Sequence, residues 1–157
     1  MTNDICLKIY HELCIKKLRL SVAESLTGGV VCSALIGVDG ISKFFHEGIV
    51  AYSNESKIAR LKVSLESLMR YGAVSEKIAA EMAEGLLSDA DVAVSTTGIA
   101  GSGGGSAEKP IGLTYIAVAD SKSTEVFRYI FEGGRNEVRE QAAHTALQIL
   151  LKKLQTN

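Results

Sequence analysis

Cysteine is scarce in this chain: Cys6, Cys14 and Cys32 are an odd set with no Cys-x-x-Cys spacing. Cys6 and Cys32 fall on apolar faces, so buried, reduced thiols are expected rather than a disulfide framework. No apolar run approaches the roughly 18–20 residues needed to span a bilayer, and a membrane partner is not expected. The opening MTNDICLKIY carries Asp4 and no long apolar region, which speaks against a signal peptide and for a cytoplasmic protein. An excess of one charge is also missing, because 17 basic and 18 acidic residues leave a net charge of −1. The densest basic cluster, Lys16, Lys17 and Arg19, suits a helix end, where cations complement the macrodipole. Nucleic acid is therefore not expected as a partner.

What remains is a chain of ordinary globular make-up, with 157 residues, 46% apolar and 22% charged. That length accommodates one domain over residues 1–157 with a single core, and neither a repeat nor a domain linker interrupts it. Ile5, Ile9 and Leu13 recur four apart and predict a helix over residues 3–17. RLSVAE, residues 19–24, reads as a strand, SLTGG as a turn and VVCSALIG as a short helix. A second strand is expected at residues 46–53, followed by a helix NESKIARL capped by Asn54. SLESLMRYG predicts a short helix closed by Gly72, and SEKIAAEMAEGLLSD another capped by Ser75, with Ile78, Met82 and Leu86 on one face.

DVAVSTTG reads as a strand and the following IAGSGGGSAEKP, rich in glycine and holding Pro110, as a loop. GLTYIAVAD, almost wholly apolar, predicts a central strand, and STEVFRYIFEG pairs with it through a turn at residues 121–123. A long helix from about Asn136 to Gln155 ends the chain, with Val138, Ala142, Ala146, Ile149 and Leu150 inward. The fold class expected is α/β, a three-layer α/β/α sandwich with a mixed, mostly parallel sheet. Ligands in such sheets bind outside the carboxyl ends of the strands, where the turns 24–29 and 97–108 should lie.

Four segments carry suggestive chemistry. Glu24-Ser25-Leu26-Thr27-Gly28-Gly29 joins a strand to a helix; its glycines allow close backbone approach, and a helix N-terminus suits a phosphate or a developing oxyanion. Taken alone, this motif fits helix capping better than catalysis. Tyr52 to Lys57 leaves a strand and enters a helix. Lys57 would be a base only if desolvation or nearby positive charge disfavoured its ammonium, and a lone lysine is more often a solvated surface group. No histidine has an obvious place in a triad, so Ser25 and Lys57 are the most economical nucleophile and base. Thr96 to Gly105 offers backbone N–H groups for an anion, yet it is neither a dinucleotide fingerprint nor a Walker loop. In Glu132-Gly133-Gly134-Arg135, Arg135 could grip a phosphate, whereas Arg139 reads as a solvated helix residue. No carboxylate cluster suggests a metal.

Taken together, Ala23 to Gly29, Val50 to Lys57, Tyr71 to Glu76, Thr97 to Gly105, Glu108 to Gly112 and Arg135 to Arg139 resemble the CinA C-terminal domain family, the nicotinamide-nucleotide amidohydrolases. The resemblance runs over nearly the whole chain in order. It implies conversion of nicotinamide mononucleotide to nicotinate mononucleotide and ammonia, with no metal or organic cofactor. Ser25 would be the nucleophile and Lys57 the general base, with Tyr52 assisting. Thr27, Gly28 and Gly29, the loop with Thr97, Gly98 and Gly101, and Arg135 would hold the nucleotide substrate. The chain departs from the family in having Leu26 where cysteine is usual and Ser102 where proline is usual. The larger N-terminal domain of full-length members, with its pyrophosphatase activity, is not represented. A homo-oligomer is expected, because a small domain with an open pocket often completes it with a neighbour. The alternative is a catalytically silent nucleotide-binding or regulatory module of the same family.

Overall fold

The structure is a computed structural model and describes residues 2–156. Its elements in chain order are α1 (Thr2–Lys16), β1 (Leu20–Glu24), α2 (Val30–Ile36), a 3-10 turn (Ile41–Lys43), β2 (Phe45–Val50), α3 (Asn54–Leu61), α4 (Leu65–Tyr71), α5 (Glu76–Glu84), β3 (Val92–Gly98), β4 (Leu113–Asp120), β5 (Thr124–Ile130) and α6 (Arg135–Thr156). The five strands form one sheet in the order β2-β1-β3-β4-β5. β1 pairs in parallel with β2 and β3, while β4 runs antiparallel to both β3 and β5. Four of the five strands thus point the same way, as the expected mixed sheet requires. Among the described residues no helix is long and apolar enough to cross a membrane.

Strand alternation sorts the core into two faces. Leu20, Val22, Val92, Val94, Ile116 and Val118 face α1, α2 and α6, and pack against Ile9, Leu13, Val31, Leu35, Leu147 and Leu150. The other face is lined by small residues, Ala23, Ala93, Ala117 and Ala119, against Ile78, Ala79, Met82 and Ala83 of α5. Small side chains on both sides let α5 lie close to the sheet. Ser95 Oγ accordingly reaches the helix backbone, donating to the Ala79 carbonyl at 2.6 Å. These two packed faces make the three-layer sandwich.

Local signals place the helix ends with two corrections. Ser64 and Ser75 cap α4 and α5, each accepting a backbone N–H three residues on, and Gly72 closes α4 with φ +76°. At α3 the cap is Ser53 rather than Asn54: its hydroxyl accepts from the Ser56 N–H at 3.1 Å, and Asn54 is the first helical residue. Position 53, still extended, holds the side chain where it can turn back on the first helical amides. The helix expected over SEKIAAEMAEGLLSD stops at Glu84, with Leu86 buried in the turn beyond.

The connection from β1 to β2 runs through α2 on one face, and that from β2 to β3 through α3–α5 on the other. Strand order therefore reverses at β1, which leaves a crevice above the carboxyl ends of β1 and β3. Ser25 and the segment 51–57 follow β1 and β2 at that end, and Thr97–Gly98 close β3 there.

Candidate functional site

A cavity of about 280 Å³ opens at this crevice, lined by Ser25, Leu26, Tyr52, Lys57, Ala73, Val74, the run from Thr97 to Gly101, and Arg135. Seven residues singled out from the sequence meet here: Ser25, Lys57, Tyr52, Thr97, Gly98, Gly101 and Arg135.

Ser25 directly follows β1, and its amide extends the ladder to β3 by donating to the Thr96 carbonyl at 3.0 Å. Alternation along β1 sends Ser25 to the same face as Ala23, the side that carries α3. Lys57 sits in the first turns of α3, where side chains lean toward the helix N-terminus. That lean returns the amine to the chain just before its own helix. Nζ lies 2.9 Å from the Ala51 carbonyl, 3.2 Å from the Tyr52 carbonyl and 3.1 Å from Ser25 Oγ. The side chain is 1% exposed, so the expectation of a solvated lysine is overturned. No ion pair among the described residues involves it. Burial without a compensating carboxylate lowers the ammonium from its ordinary 10.5 to about 8.

The three partners of Nζ differ in kind. Two are carbonyls, which only accept, whereas a hydroxyl also donates. An ammonium satisfies all three with its three hydrogens. A neutral amine keeps its two hydrogens on the carbonyls and turns its lone pair to the Ser25 hydroxyl. The surroundings thus fit both protonation states.

The mouth of the cavity is bridged by Arg135, whose Nη2 donates to Tyr52 Oη at 2.8 Å. Arg135 lies so close to Gly101 that a Cβ there would come within 2.7 Å of Nη1. Tyr52 therefore serves the site at two points, with its carbonyl on Lys57 and its hydroxyl on Arg135. The Thr97 hydroxyl donates at 2.8 Å to the Ala73 carbonyl, tying the end of β3 to the segment before α5. Gly98 is packed where a Cβ would meet the Leu113 carbonyl at 2.7 Å and Leu26 Cδ1 at 2.9 Å. Only glycine leaves room for that packing at this position.

Thr27, Gly28 and Gly29 do not line the cavity, which corrects the expectation that this turn cradles an anion. The anion at the start of α2 is the protein's own. Glu24 is wholly buried, and its carboxylate accepts from the N–H groups of Gly29 at 3.0 Å, Val31 at 3.1 Å and Cys32 at 2.9 Å. Alternation sends Glu24 to the α2 face and its neighbour Ser25 to the α3 face. Gly28 N–H donates back to the Ser25 carbonyl, and the Thr27 and Thr96 hydroxyls pair at 2.7 Å. Leu26 of this turn does line the cavity, and its backbone amide has no protein acceptor among the described residues.

Sequence reasoning gives Glu24 no role of its own and reads Arg139 as a solvated helix residue. The structure corrects both, since Glu24 holds the amides at the start of α2 and Arg139 donates to the Leu26 and Thr27 carbonyls. A carboxylate ending a strand just before a helix start was a signal for the first. Arg139 lies one helical turn beyond Arg135, a spacing that puts both on one face of α6. Among the described residues no group of three His, Cys, Asp or Glu side chains could hold a metal.

The model of the CinA C-terminal domain matches residues 3–154. A CinA-like protein of Fusobacterium nucleatum is 53% identical over 139 residues, covering 88% of this chain and 34% of that protein. A CinA-like protein of Endomicrobium trichonymphae is 45% identical over 155 residues, covering 97% of this chain and 36% of its own length. The chain thus spans about a third of these relatives. Solved structures match it along almost their whole length. A competence-damaged protein (CinA) superfamily protein of Klebsiella pneumoniae has a TM-score of 0.94 at 33% identity, covering 100% of this chain and 99% of that one. Its Escherichia coli counterpart has a TM-score of 0.94 at 36% identity, covering 98% and 90%. With the family model matching residues 3–154 and solved members of the superfamily superposing at a TM-score of 0.94, the chain belongs to the CinA C-terminal domain family.

Proposed function

We propose that this chain hydrolyses the carboxamide of nicotinamide mononucleotide, giving nicotinate mononucleotide and ammonia. The carrying observation is the 3.1 Å contact between Ser25 Oγ and a buried Lys57 amine that has no carboxylate partner. A pyridine nucleotide as substrate is supported by the family resemblance. Arg135 and the glycine loop, which line the same cavity, supply donors suited to its phosphate.

Neutral Lys57 takes the Ser25 proton as Oγ attacks the carboxamide carbon. Charge develops on the carbonyl oxygen, and the Leu26 N–H, one residue past the nucleophile and without a protein acceptor among the described residues, is the donor we assign to it. The C–N bond breaks as the Lys57 ammonium returns its proton to the leaving nitrogen, which departs as ammonia. Water then attacks the acyl-enzyme ester, with Lys57 again the base, and releases the nicotinate carboxylate. While Lys57 is charged, the Ala51 and Tyr52 carbonyls hold its other two hydrogens and stabilise it between transfers.

Incubation with nicotinamide mononucleotide and an assay for ammonia tests this directly. Ammonia release that is lost in Ser25→Ala supports it. Nucleotide binding with no ammonia released would overturn it in favour of a silent nucleotide-binding module.

A further inference from the structure

Arg139 is a cation with its charge turned into the protein. Its Nε donates to the Leu26 carbonyl at 3.0 Å and its Nη2 to the Thr27 carbonyl at 3.2 Å, across 113 and 112 residues of sequence. Nη1 is held at 3.1 Å by Asn136 Oδ1 on the same helix. All three guanidinium nitrogens are thereby assigned, two of them to consecutive peptide units of the turn that follows Ser25. Gly28, at φ +59°, brings its α-carbon so close that a Cβ would come within 3.3 Å of Nη2. Arg139 does not line the cavity that holds Ser25 and Arg135.

We propose that Arg139 is a positioning residue for the nucleophile, clamping the Leu26 and Thr27 carbonyls so that the Ser25 hydroxyl and the Leu26 amide keep their places at the cavity. This rests on Ser25 being the nucleophile. A planar fork is the group for the task, because it engages two acceptors at once with little freedom between them. In a trans peptide the carbonyl and the following N–H point opposite ways. Fixing the Leu26 carbonyl on α6 therefore fixes the plane of the Leu26–Thr27 peptide. The preceding peptide, which carries the Leu26 amide, is held through its Ser25 carbonyl by the Gly28 N–H of the same clamped turn. From the other side, Glu24 holds the amides of Gly29, Val31 and Cys32. The turn is thus gripped by a cation on its carbonyls and an anion on its amides. It cannot tilt without breaking charge-assisted bonds. Lysine in place of Arg139 keeps the charge but not the fork.

The test compares wild type, Arg139→Lys and Arg139→Met with nicotinamide mononucleotide as substrate, with Ser25→Ala as reference. Misplacement of a reacting group by about 1 Å costs on the order of 100-fold, so kcat should fall about 10–100-fold in both Arg139 variants while KM moves less than about threefold. Millimolar guanidinium should restore part of kcat in Arg139→Met, and have no such effect on wild type. A merely structural arginine would give no such rescue. A raised KM with kcat intact would overturn the proposal and make Arg139 a phosphate ligand. Normal kcat in both variants beside an inactive Ser25→Ala would overturn it as well. Should Arg139→Met not fold, Arg139→Lys decides, since wild-type kcat there shows that the fork is dispensable. Ser25→Ala turning over as fast as wild type would instead remove the nucleophile assignment itself.

Discussion

Ser25 Oγ is the one partner of the Lys57 amine that has a proton to give, 3.1 Å away and 32 residues earlier in the chain. The other two partners, the Ala51 and Tyr52 carbonyls, accept only, so deprotonation of Lys57 leaves its lone pair facing the serine.

Activity should follow the neutral fraction of Lys57. With its ammonium at about 8, kcat/KM for nicotinamide mononucleotide rises tenfold per pH unit below that value and levels off above it. A pH–rate profile checks this. A flat profile between pH 6 and 9 would remove Lys57 as the base.

Stability carries the opposite face of the same burial. The folded-state value, about 8, lies below the ordinary 10.5 of an exposed lysine, so between these pH values the unfolded chain binds more protons. Stability contributed at this site is therefore least below pH 8 and rises as pH climbs toward 10.5. The full span is about 3 kcal/mol. Urea unfolding of wild type and Lys57→Met across that range should show wild type gaining on the variant as pH rises.

Ser25→Ala and Lys57→Met should each lower kcat by at least about 1000-fold, and the double variant should be little worse than either. Single-turnover ammonia release measures all three. Additive losses would show that the two side chains act independently.

Arg135→Gln removes the guanidinium from the cavity mouth, and KM should rise about 10–100-fold with a smaller change in kcat. Tyr52→Phe frees Arg135 while keeping the carbonyl that holds Lys57, so its effect should appear chiefly in KM. A large loss of kcat in Tyr52→Phe would instead place the phenol in the chemistry.

Glu24→Gln leaves part of the amide cluster at the start of α2 facing an NH2 group. It should destabilise the protein by about 1–3 kcal/mol, read from the urea midpoint. An unchanged midpoint would show that the cluster is hydrated rather than held by the carboxylate.

The sequence by itself determined the elements and their order. Apolar spacing marked α1, α5 and α6, the apolar run GLTYIAVAD announced β4 as central, Ser75 predicted where α5 starts and Gly72 where α4 stops. These signals are local: each depends on neighbours within a turn or two. The motifs also brought Ser25, Lys57 and Arg135 forward as candidates and the family resemblance added Tyr52, although Ser25 taken alone fitted a helix cap and Lys57 a solvated charge. Tertiary structure alone decided which polar groups face each other. Glu24 and Ser25 are adjacent in sequence, yet strand alternation sends one to fill the start of α2 and the other to meet Lys57. Arg139 resembled a solvated helix residue until the packing of α6 brought it onto the Leu26 carbonyl. Charge and burial take their meaning from partners distant in sequence, and only the folded chain brings those partners together.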